Sequence, residues 1–188
     1  MFLIRKGYNI EKLGLVRVRT MEFIKPNEIF FDEYLSACKE SYDNDVTEWM
    51  PVELHDFESW KKRALQRYEM LESGVGLPVG IPRMITYWCI KESRFIGEIQ
   101  IRPFMSLDEA KEIGHIGYAV RYSMWNKGFG TKLLQFAVEK LHEYNVTPIY
   151  IACHIENKGS NKVIEKIGFE FIEIRESNEQ KENLYILR

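Results

Sequence analysis

The sequence predicts one domain of the mixed α/β class, and three features support this prediction. The runs Ile85–Lys91 and Arg94–Arg102 read as strands separated by only two residues, which is typical of an antiparallel hairpin. Gly130–Tyr144 repeats apolar residues at three- and four-residue spacing, which indicates an amphipathic helix. Pro148–Ile155 is almost continuously apolar, which is typical of a strand buried on both faces of a sheet. A chain of 188 residues usually forms one such domain.

Further elements follow from the same patterns. Strands are predicted at Leu15–Arg19, His115–Val120, Phe169–Ile174 and Asn183–Arg188, and helices at Asn27–Tyr42, Phe57–Leu71 and Ser160–Ile167. Ser73–Pro82 is rich in Gly and Pro and is interpreted as a loop within the domain, and Gly168 as a left-handed helix cap. The long helix between the second of these strands and Pro148–Ile155 predicts a parallel crossover after an antiparallel N-terminal half.

The charge balance argues against several classes of partner. There are 26 Lys and Arg residues against 28 Asp and Glu, a formal net charge of −2, whereas nucleic-acid binding favours a basic excess. No apolar run approaches the roughly 18 residues that a membrane span needs, and the first residues lack the apolar core of a secretory signal. Three widely separated cysteines, Cys38, Cys89 and Cys153, indicate reduced buried thiols. We therefore expect a cytoplasmic protein without nucleic-acid or membrane partners.

The segment Trp125–Thr131 carries two glycines between a predicted strand and the amphipathic helix. Backbone N–H groups and the positive end of a helix dipole meet at such a turn, which predicts a site for a phosphate or pyrophosphate. Gly128 and Gly130 lack the Cβ atoms that would block close approach, and Lys127 adds a positive charge. The Walker A spacing is missing, and Leu133 stands where a dinucleotide fingerprint has its third glycine. On glycine spacing alone, a plain packing turn remains the alternative.

Two ordered blocks of the sequence resemble the GNAT superfamily of acyl-CoA-dependent N-acetyltransferases. The first block is HIGYAVRYSMWNKGFGTKLLQFAVEKL, and the second is IYIACHIENKGSNKVIEKIGFEFIEI, with Asn157, Ser160, Gly168 and Phe169 in register. The resemblance implies a mixed, mostly antiparallel central sheet with a parallel splayed strand pair and helices on both faces. It also implies a single domain over residues 1–188, of which 1–14 are interpreted as an N-terminal extension.

The same resemblance implies an acetyl-CoA-dependent enzyme in which a primary amine attacks the thioester directly in a ternary complex. The glycine turn would hold the pyrophosphate, and the pantetheine arm would lie between the splayed strands. The implied cofactor-binding residues are Tyr118, Ala119, Val120, Asn126, Lys127, Gly128, Phe129, Gly130, Thr131, Asn157 and Ser160. A backbone N–H near Ala119–Val120 is expected to stabilise the oxyanion. No metal is expected, because the four histidines show no ligand spacing.

Three positions depart from the family pattern. Trp125 stands where Gln or Arg is usual, and Tyr122 stands where Pro is common. Ile164 occupies the position of a Tyr that protonates the departing thiolate in many members. Because a thiol of pKa about 8.5 is already a good leaving group near neutral pH, the missing acid need not abolish activity.

Two residues are candidates for the base that takes the proton from the ammonium group. His115 has an intrinsic pKa suited to this role at neutral pH, and strand alternation places it on the face of Gly117 and Ala119. Glu98, on the neighbouring predicted strand, would need burial to raise its pKa. We expect His115 to be the base, with Glu98 second and a purely structural histidine as the alternative.

Other functions remain open from the sequence. A non-catalytic acetyl-CoA sensor is favoured by Trp125 and Ile164, and a different nucleotide-binding protein is the third hypothesis. The acidic stretch Asp43–Glu58 is interpreted as a solvated loop rather than a rim for a cationic amine, and Cys153 as a core residue rather than a nucleophile. The sequence does not specify which small-molecule or peptide amine is the acceptor, nor whether the protein forms a homodimer.

Overall fold

The computed structural model describes residues 21–46, 57–177 and 180–188. These residues form the strands β1 (Met21–Ile24), β2 (Ile85–Lys91), β3 (Arg94–Ile101), β4 (Ile116–Val120), β5 (Ile149–His154), β6 (Glu170–Ser177) and β7 (Gln180–Leu187). The helices are α1 (Phe31–Tyr42), α2 (Phe57–Ser73), α3 (Leu107–Ile113), α4 (Phe129–Glu143) and α5 (Lys158–Ile167), with 3-10 turns at Glu28–Phe30 and Tyr122–Met124. The strand predicted at Leu15–Arg19 lies outside the described residues.

The strands form two antiparallel sheets, in the orders β1-β2-β3-β4 and β5-β7-β6. The sheets meet where the backbone N–H of His115 donates to the carbonyl oxygen of Tyr150 at 2.7 Å. β4 and β5 share no strand ladder and separate beyond this contact. The predicted class, a mixed α/β fold with a mostly antiparallel sheet and helices on both faces, is confirmed.

Helices cover the first sheet on both faces. On one face, Leu133, Leu134 and Ala137 of α4 are buried in a cluster that includes Cys89 of β2. On the other, α1 and α2 enclose aromatic residues, among them Trp88. Trp88 and Cys89 are neighbours in β2 yet belong to different clusters, because successive side chains of a strand point to opposite faces.

Two elements were not predicted from the sequence. β1 has only four residues, which is too short for a recognisable alternation. α3 begins with a capping box, in which the Ser106 side chain accepts from the backbone N–H of Glu109 and the Glu109 carboxylate accepts from that of Ser106. The Ser-x-x-Glu spacing is a helix signal, and it could have revealed α3 from the sequence.

The buried Arg121, at the end of β4, forms hydrogen bonds with three side chains of α1. Arg121 donates from Nε to Glu40 at 2.7 Å, from Nη1 to Glu33 at 3.1 Å and from Nη2 to Ser36 at 2.9 Å. The backbone N–H of Ser123 also donates to Glu40. This network holds the helical layer against the loop that follows β4. Among the helices in the described parts of the chain, none is long and apolar enough to cross a membrane.

Candidate active site

A cleft of about 1060 Å³ opens where β4 and β5 separate. Its walls are Tyr118, Ala119 and Val120 of β4 on one side and the segment from His154 to Ser160 on the other. The turn before α4 and the first residues of that helix complete the lining. The two sheets therefore form a cleft because they are joined at His115 and Tyr150 and not along the whole length of β4.

The beginning of α4 presents free backbone donors to this cleft. Asn126 and Gly128 adopt left-handed backbone conformations, with φ values of 58° and 79°. The first N–H groups of a helix have no partner within the helix, and no side chain caps this end of α4. A Cβ atom on Gly128 would meet no heavy atom within 4 Å. This arrangement suits an anion, since the donors and the helix dipole converge on open space.

All of the predicted cofactor-binding residues except Lys127 line the cleft: Tyr118, Ala119, Val120, Asn126, Gly128, Phe129, Gly130, Thr131, Asn157 and Ser160. Lys127 instead donates from Nζ to the carbonyl oxygen of Ser123 at 2.7 Å. The lysine helps to close its own turn and does not extend into the cleft. That these residues bind a cofactor stays a prediction.

Trp125 has a structural function in the turn. Its indole Nε1 donates to the carbonyl oxygen of Val120 at 2.8 Å, and its ring packs on Tyr122 with centroids 4.9 Å apart. The side chain is 44% exposed and lines the cleft. The departure from the family pattern thus leaves the turn closed and its backbone donors in place.

The wall formed by α5 is linked to β4 by two hydroxyl groups. Tyr118 Oη and Ser160 Oγ lie 2.7 Å apart across the cleft. Asn157 is the cap that precedes α5, and its Oδ1 accepts from the Ser160 backbone N–H at 3.0 Å. Burial raises the pKa of Tyr118 to about 12, so its hydroxyl keeps its proton at neutral pH. Ile164, at the position of the missing family Tyr, is completely buried in the core.

Glu98 is a buried carboxylate next to the cleft wall. It lies opposite Ala119 in the register of β3 and β4 and is 6% exposed. Trp88 Nε1 donates to its Oε2 at 2.8 Å, Gln100 Nε2 to its Oε1 at 2.9 Å, and Tyr68 Oη to its Oε2 at 3.4 Å. Burial raises the pKa of Glu98 in spite of these hydrogen bonds.

His115, the first candidate for the base, is part of the junction between the sheets. Its side chain is 1% exposed, and its Nδ1 accepts from the backbone N–H of Tyr150 at 3.0 Å. Burial, assisted by the nearby positive charge of Arg102, lowers the pKa of His115 to about 4. The imidazole does not line the cleft. This geometry favours the structural alternative for His115, and Glu98, which is also buried and does not line the cleft, stays the second candidate for the base.

The remaining nucleophile and metal candidates do not form a site. Cys153 is buried in the core, as expected for a small apolar residue. Across the described segments, no group of three His, Cys, Asp or Glu side chains is arranged to hold a metal ion. His154 does line the cleft, with Nδ1 3.7 Å from Oε1 of Glu182.

Several lining residues were not found from the sequence. Asp45 and Val46 reach the cleft from the end of α1, and Gln180 and Lys181 from the beginning of β7. Asp45 and Val46 belong to the acidic stretch Asp43–Glu58, which the sequence pattern predicts to be a solvated loop rather than an acceptor rim, whereas no local pattern marks Gln180 and Lys181. Val163 could have been found, because it lies one helical turn after Ser160 and therefore on the same side of α5.

Comparison with known families agrees with this geometry. Residues 31–170 match a family model described as an acetyltransferase (GNAT) domain. Because the match covers well over half of the chain, the protein belongs to the GNAT acetyltransferase family. A comparison with curated proteins gave no significant match.

The fold is also similar to several solved structures. The microcin C7 self-immunity acetyltransferase MccE, in complex with acetyl-CoA and AMP, is 15% identical with a TM-score of 0.65, over 89% of this chain and 91% of that chain. The ribosomal L7/L12 α-N-protein acetyltransferase RimL is 14% identical with a TM-score of 0.65, over 92% of each chain. The ribosomal-protein-S5-alanine acetyltransferase from Vibrio fischeri is 18% identical with a TM-score of 0.62, over 89% and 91%. At these identities the similarity establishes the fold alone.

Proposed function

We propose that this protein transfers the acetyl group of acetyl-CoA to a primary amine, by direct attack in a ternary complex. The observation that carries the proposal is the uncapped beginning of α4, which opens onto a cleft large enough for an extended cofactor. The family assignment supports acetyl transfer. MccE, a similar structure, is complexed with acetyl-CoA, and RimL is named for acetylation of a protein α-amine.

The cleft offers groups suited to each part of acetyl-CoA. Backbone N–H groups from Gly128 to Thr131 would hold the pyrophosphate, because they lack helical partners. Residues 118–120 and Asn157 would contact the pantetheine arm, since they form the two facing walls. Bound acetyl-CoA supplies the thioester carbon that the amine attacks.

Groups of the protein would perform the three tasks of the reaction, which are proton removal from the ammonium group, stabilisation of the oxyanion and protonation of the departing thiolate. Glu98 is buried and does not itself line the cleft, so it would accept the proton of the ammonium group through water, and its raised pKa makes it a stronger base than an ordinary carboxylate. A backbone N–H near Ala119 and Val120 donates to the developing oxyanion. The Tyr118–Ser160 hydroxyl pair supplies a proton to the departing thiolate, in place of the Tyr that is missing at position 164.

We propose that the acceptor is a small-molecule or peptide amine. We also propose that the protein is cytoplasmic. Holding the amine against the thioester accounts for much of the rate acceleration, because two substrates bound side by side react as if they were one molecule. The non-catalytic sensor remains the rival function. It predicts acetyl-CoA binding without amine-dependent turnover.

The test is a panel of primary amines incubated with acetyl-CoA, with free thiol and acetylated product measured together. We expect stoichiometric thiol and acetyl-amine from at least one class of amine. Tight acetyl-CoA binding without product from any small-molecule or peptide amine would contradict the proposal and favour the sensor. Competition by free nucleotides as strong as that by CoA would indicate a different nucleotide-binding protein.

A further inference from the structure

Residues 154–157 form the turn between β5 and α5, and this wall turn lines one side of the cleft. Two backbone hydrogen bonds hold it, both at 3.0 Å. The N–H of Asn157 donates to the carbonyl oxygen of His154, and the N–H of Ile155 donates to that of Lys181. The wall turn has no strand or helix ladder of its own, so its position also depends on side chains that bond to its backbone.

Asn161, in the first turn of α5, supplies such a side chain. Its Nδ2 donates to the carbonyl oxygen of His154 at 2.9 Å and to that of Asn157 at 2.8 Å. These two carbonyls are the first and the last of the wall turn, so one amide group spans it. Asn161 is buried, and hydrogen bonds that are sheltered from water hold their geometry more firmly than exposed ones.

The oxygen of the same amide is held by β7. Asn161 Oδ1 accepts from Tyr185 Oη at 2.8 Å and from Asn183 Nδ2 at 3.0 Å. An asparagine amide has two donor hydrogens and one oxygen with two lone pairs, so these four hydrogen bonds use its whole capacity. The orientation of the amide is thereby determined, because a flipped amide would set its oxygen against the two carbonyls of the wall turn.

Packing alone does not call for an asparagine at this position. The buried residues of α5 are Asn161 and Ile164, and Ile164 belongs to the apolar core. A buried polar group is costly unless it is hydrogen-bonded, whereas an apolar side chain of similar volume would fill the space without that requirement. The amide therefore provides a link between β7 and the cleft that an apolar residue could not supply.

We propose that Asn161 is a positioning residue for acetyl-CoA, because it fixes the wall turn against β7 before the cofactor binds. Asn161 does not itself line the cleft, so it acts through the wall turn and through Asn157, one of the predicted cofactor-binding residues. A wall that had to become ordered during binding would lower the affinity, and a wall that is already fixed avoids this cost. The inference rests on the proposed binding of acetyl-CoA in this cleft.

The first experiment measures acetyl-CoA affinity by calorimetry, well below the Tm of each variant. Asn161→Leu removes all four hydrogen bonds at similar volume, and Asn161→Asp keeps oxygens that accept from β7 but loses the amide donors. We expect both to weaken acetyl-CoA binding at least ~10-fold. Tyr185→Phe removes one bond on the β7 side and leaves both bonds to the wall turn, so it should weaken binding by less than ~3-fold.

Leu141→Ala is the control for a loss of stability alone. Leu141 is a fully buried core residue in the last turn of α4, at the opposite end of that helix from the glycine turn, and it does not line the cleft. Truncation of a buried leucine leaves a cavity and lowers Tm. Acetyl-CoA affinity in this variant should nevertheless stay within about twofold of wild type.

Hydrogen exchange in the absence of any ligand tests the wall turn directly. In Asn161→Asp, the backbone amides of residues 155–160 should exchange at least ~10-fold faster than in wild type, whereas those of the β2–β3 hairpin should be unchanged. A side chain that only adds to global stability would raise exchange in both segments. This measurement does not depend on which cofactor the protein uses.

Acetyl-CoA affinity and wall-turn exchange that stay at wild-type values in Asn161→Asp would overturn the inference, and this nearly isosteric variant decides the question even if Asn161→Leu does not fold. A loss of affinity in Tyr185→Phe as large as in Asn161→Asp would also overturn it, because the effect would then belong to β7 and not to the bonds with the wall turn. Failure of the acetylation proposal would appear separately, as absent thiol release from acetyl-CoA with every amine.

Discussion

Burial moves the pKa values of the two candidate bases in opposite directions. It disfavours the charged form of each group, and the charged form is the carboxylate for Glu98 but the imidazolium for His115. The pKa of Glu98 is therefore raised and that of His115 lowered to about 4. A raised carboxylate pKa strengthens a base for work near neutral pH, whereas a lowered imidazole pKa weakens one. The pKa directions therefore favour Glu98 over His115 as the proposed base, and which of the two groups acts stays a prediction.

The role of Glu98 is tested by Glu98→Gln. The amide cannot accept a proton, so we expect kcat to fall at least ~10-fold, with acetyl-CoA affinity nearly unchanged. Only the ionised carboxylate acts as a base, so wild-type kcat should rise as pH increases through a value above the usual range of a glutamate. The variant should lose this limb of the pH profile. Wild-type turnover in Glu98→Gln would exclude Glu98 as the base.

His115→Ala should act on stability instead. The substitution leaves the buried Tyr150 N–H without its acceptor, which costs about 1–3 kcal/mol of unfolding free energy. We expect a lower Tm at pH 7, with kcat within about threefold of wild type measured well below that Tm, because an imidazole with a pKa of about 4 is a weak base. A tenfold loss of kcat at unchanged Tm would restore His115 as the base.

The pH dependence of folding provides a second measurement on His115. Its pKa is about 4 in the folded protein against an ordinary value of 6.5, so between these values the unfolded chain binds more protons. The contribution to stability is complete above about pH 6.5 and is lost as pH falls toward 4. The loss is at most about 3.5 kcal/mol, since one pKa unit corresponds to about 1.4 kcal/mol. His115→Ala should show a weaker decrease over this window.

At the scale of elements, the beginnings of α4 and α5 form the two sides of the proposed cofactor site. α4 begins after a left-handed glycine and leaves its donors open. α5 begins with an asparagine whose side chain caps the helix. The beginning of α4 therefore offers its backbone donors to a ligand, whereas at the beginning of α5 the Asn157 side chain accepts from one backbone donor.

Gly128→Val tests the donor site on α4, with Gly80→Val as its control. Both glycines have positive φ values, 79° and 85°, and at either one an added Cβ atom would have no heavy atom within 4 Å. Each variant should lose about 1–2 kcal/mol of stability, because a side chain is strained in this conformation. Only Gly128→Val should weaken acetyl-CoA binding, by at least ~10-fold in calorimetry, because it moves donors of the cleft. Equal acetyl-CoA affinities in the two variants would contradict the assignment of a phosphate site to the beginning of α4.

Asn157→Ala tests the capping residue of α5, with Asn27→Ala as its control. Asn27 caps the 3-10 turn before α1 and does not line the cleft. Loss of a helix cap costs about 1 kcal/mol, so Asn157→Ala should lower Tm, and Asn27→Ala should do so to a similar or smaller extent. Only Asn157→Ala should also reduce acetyl-CoA affinity, by about fivefold, the value of one hydrogen bond. Unchanged affinity would confine Asn157 to its capping role.

On the scale of the whole molecule, the cleft depends on how separate layers are joined. The two sheets are linked at His115 and Tyr150, and the α1 layer is linked to the end of β4 through Arg121. Both links lie next to β4, the strand that forms one wall of the cleft. The position of this wall therefore depends on contacts between residues far apart in the sequence.

Arg121→Met should destabilise the fold as a whole. The Arg121 side chain is 6% exposed, and its removal leaves Glu33 and Glu40 without their partner. Breaking a fully buried ion pair costs about 3 kcal/mol or more; because Glu33 and Glu40 are 36% and 21% exposed, we expect a smaller cost, with a Tm that still falls clearly in thermal unfolding. Lys111→Met removes the cation of an exposed pair with Asp108 and should change Tm little. A similar Tm for both variants would show that the Arg121 network does not join the layers.

Local sequence was sufficient for much of the fold. The hairpin of β2 and β3, the amphipathic α4, the apolar β5 and the Gly168 cap all lie close to their predicted positions. Each depends on residues within one element, through side-chain period, turn composition or backbone freedom. The glycine turn before α4 was recognisable for the same reason, and so was nearly all of the predicted cleft lining.

What could not be predicted depends on residues brought together from distant parts of the chain. The sequence placed His115 and Glu98 on neighbouring strands, but it did not show the contact of His115 with Tyr150 or the enclosure of Glu98 by Tyr68 and Trp88, which move their pKa values in opposite directions. Periodicity shows which face of a strand a side chain takes, whereas burial and partners, which set its charge and its chemistry, arise only when the layers pack.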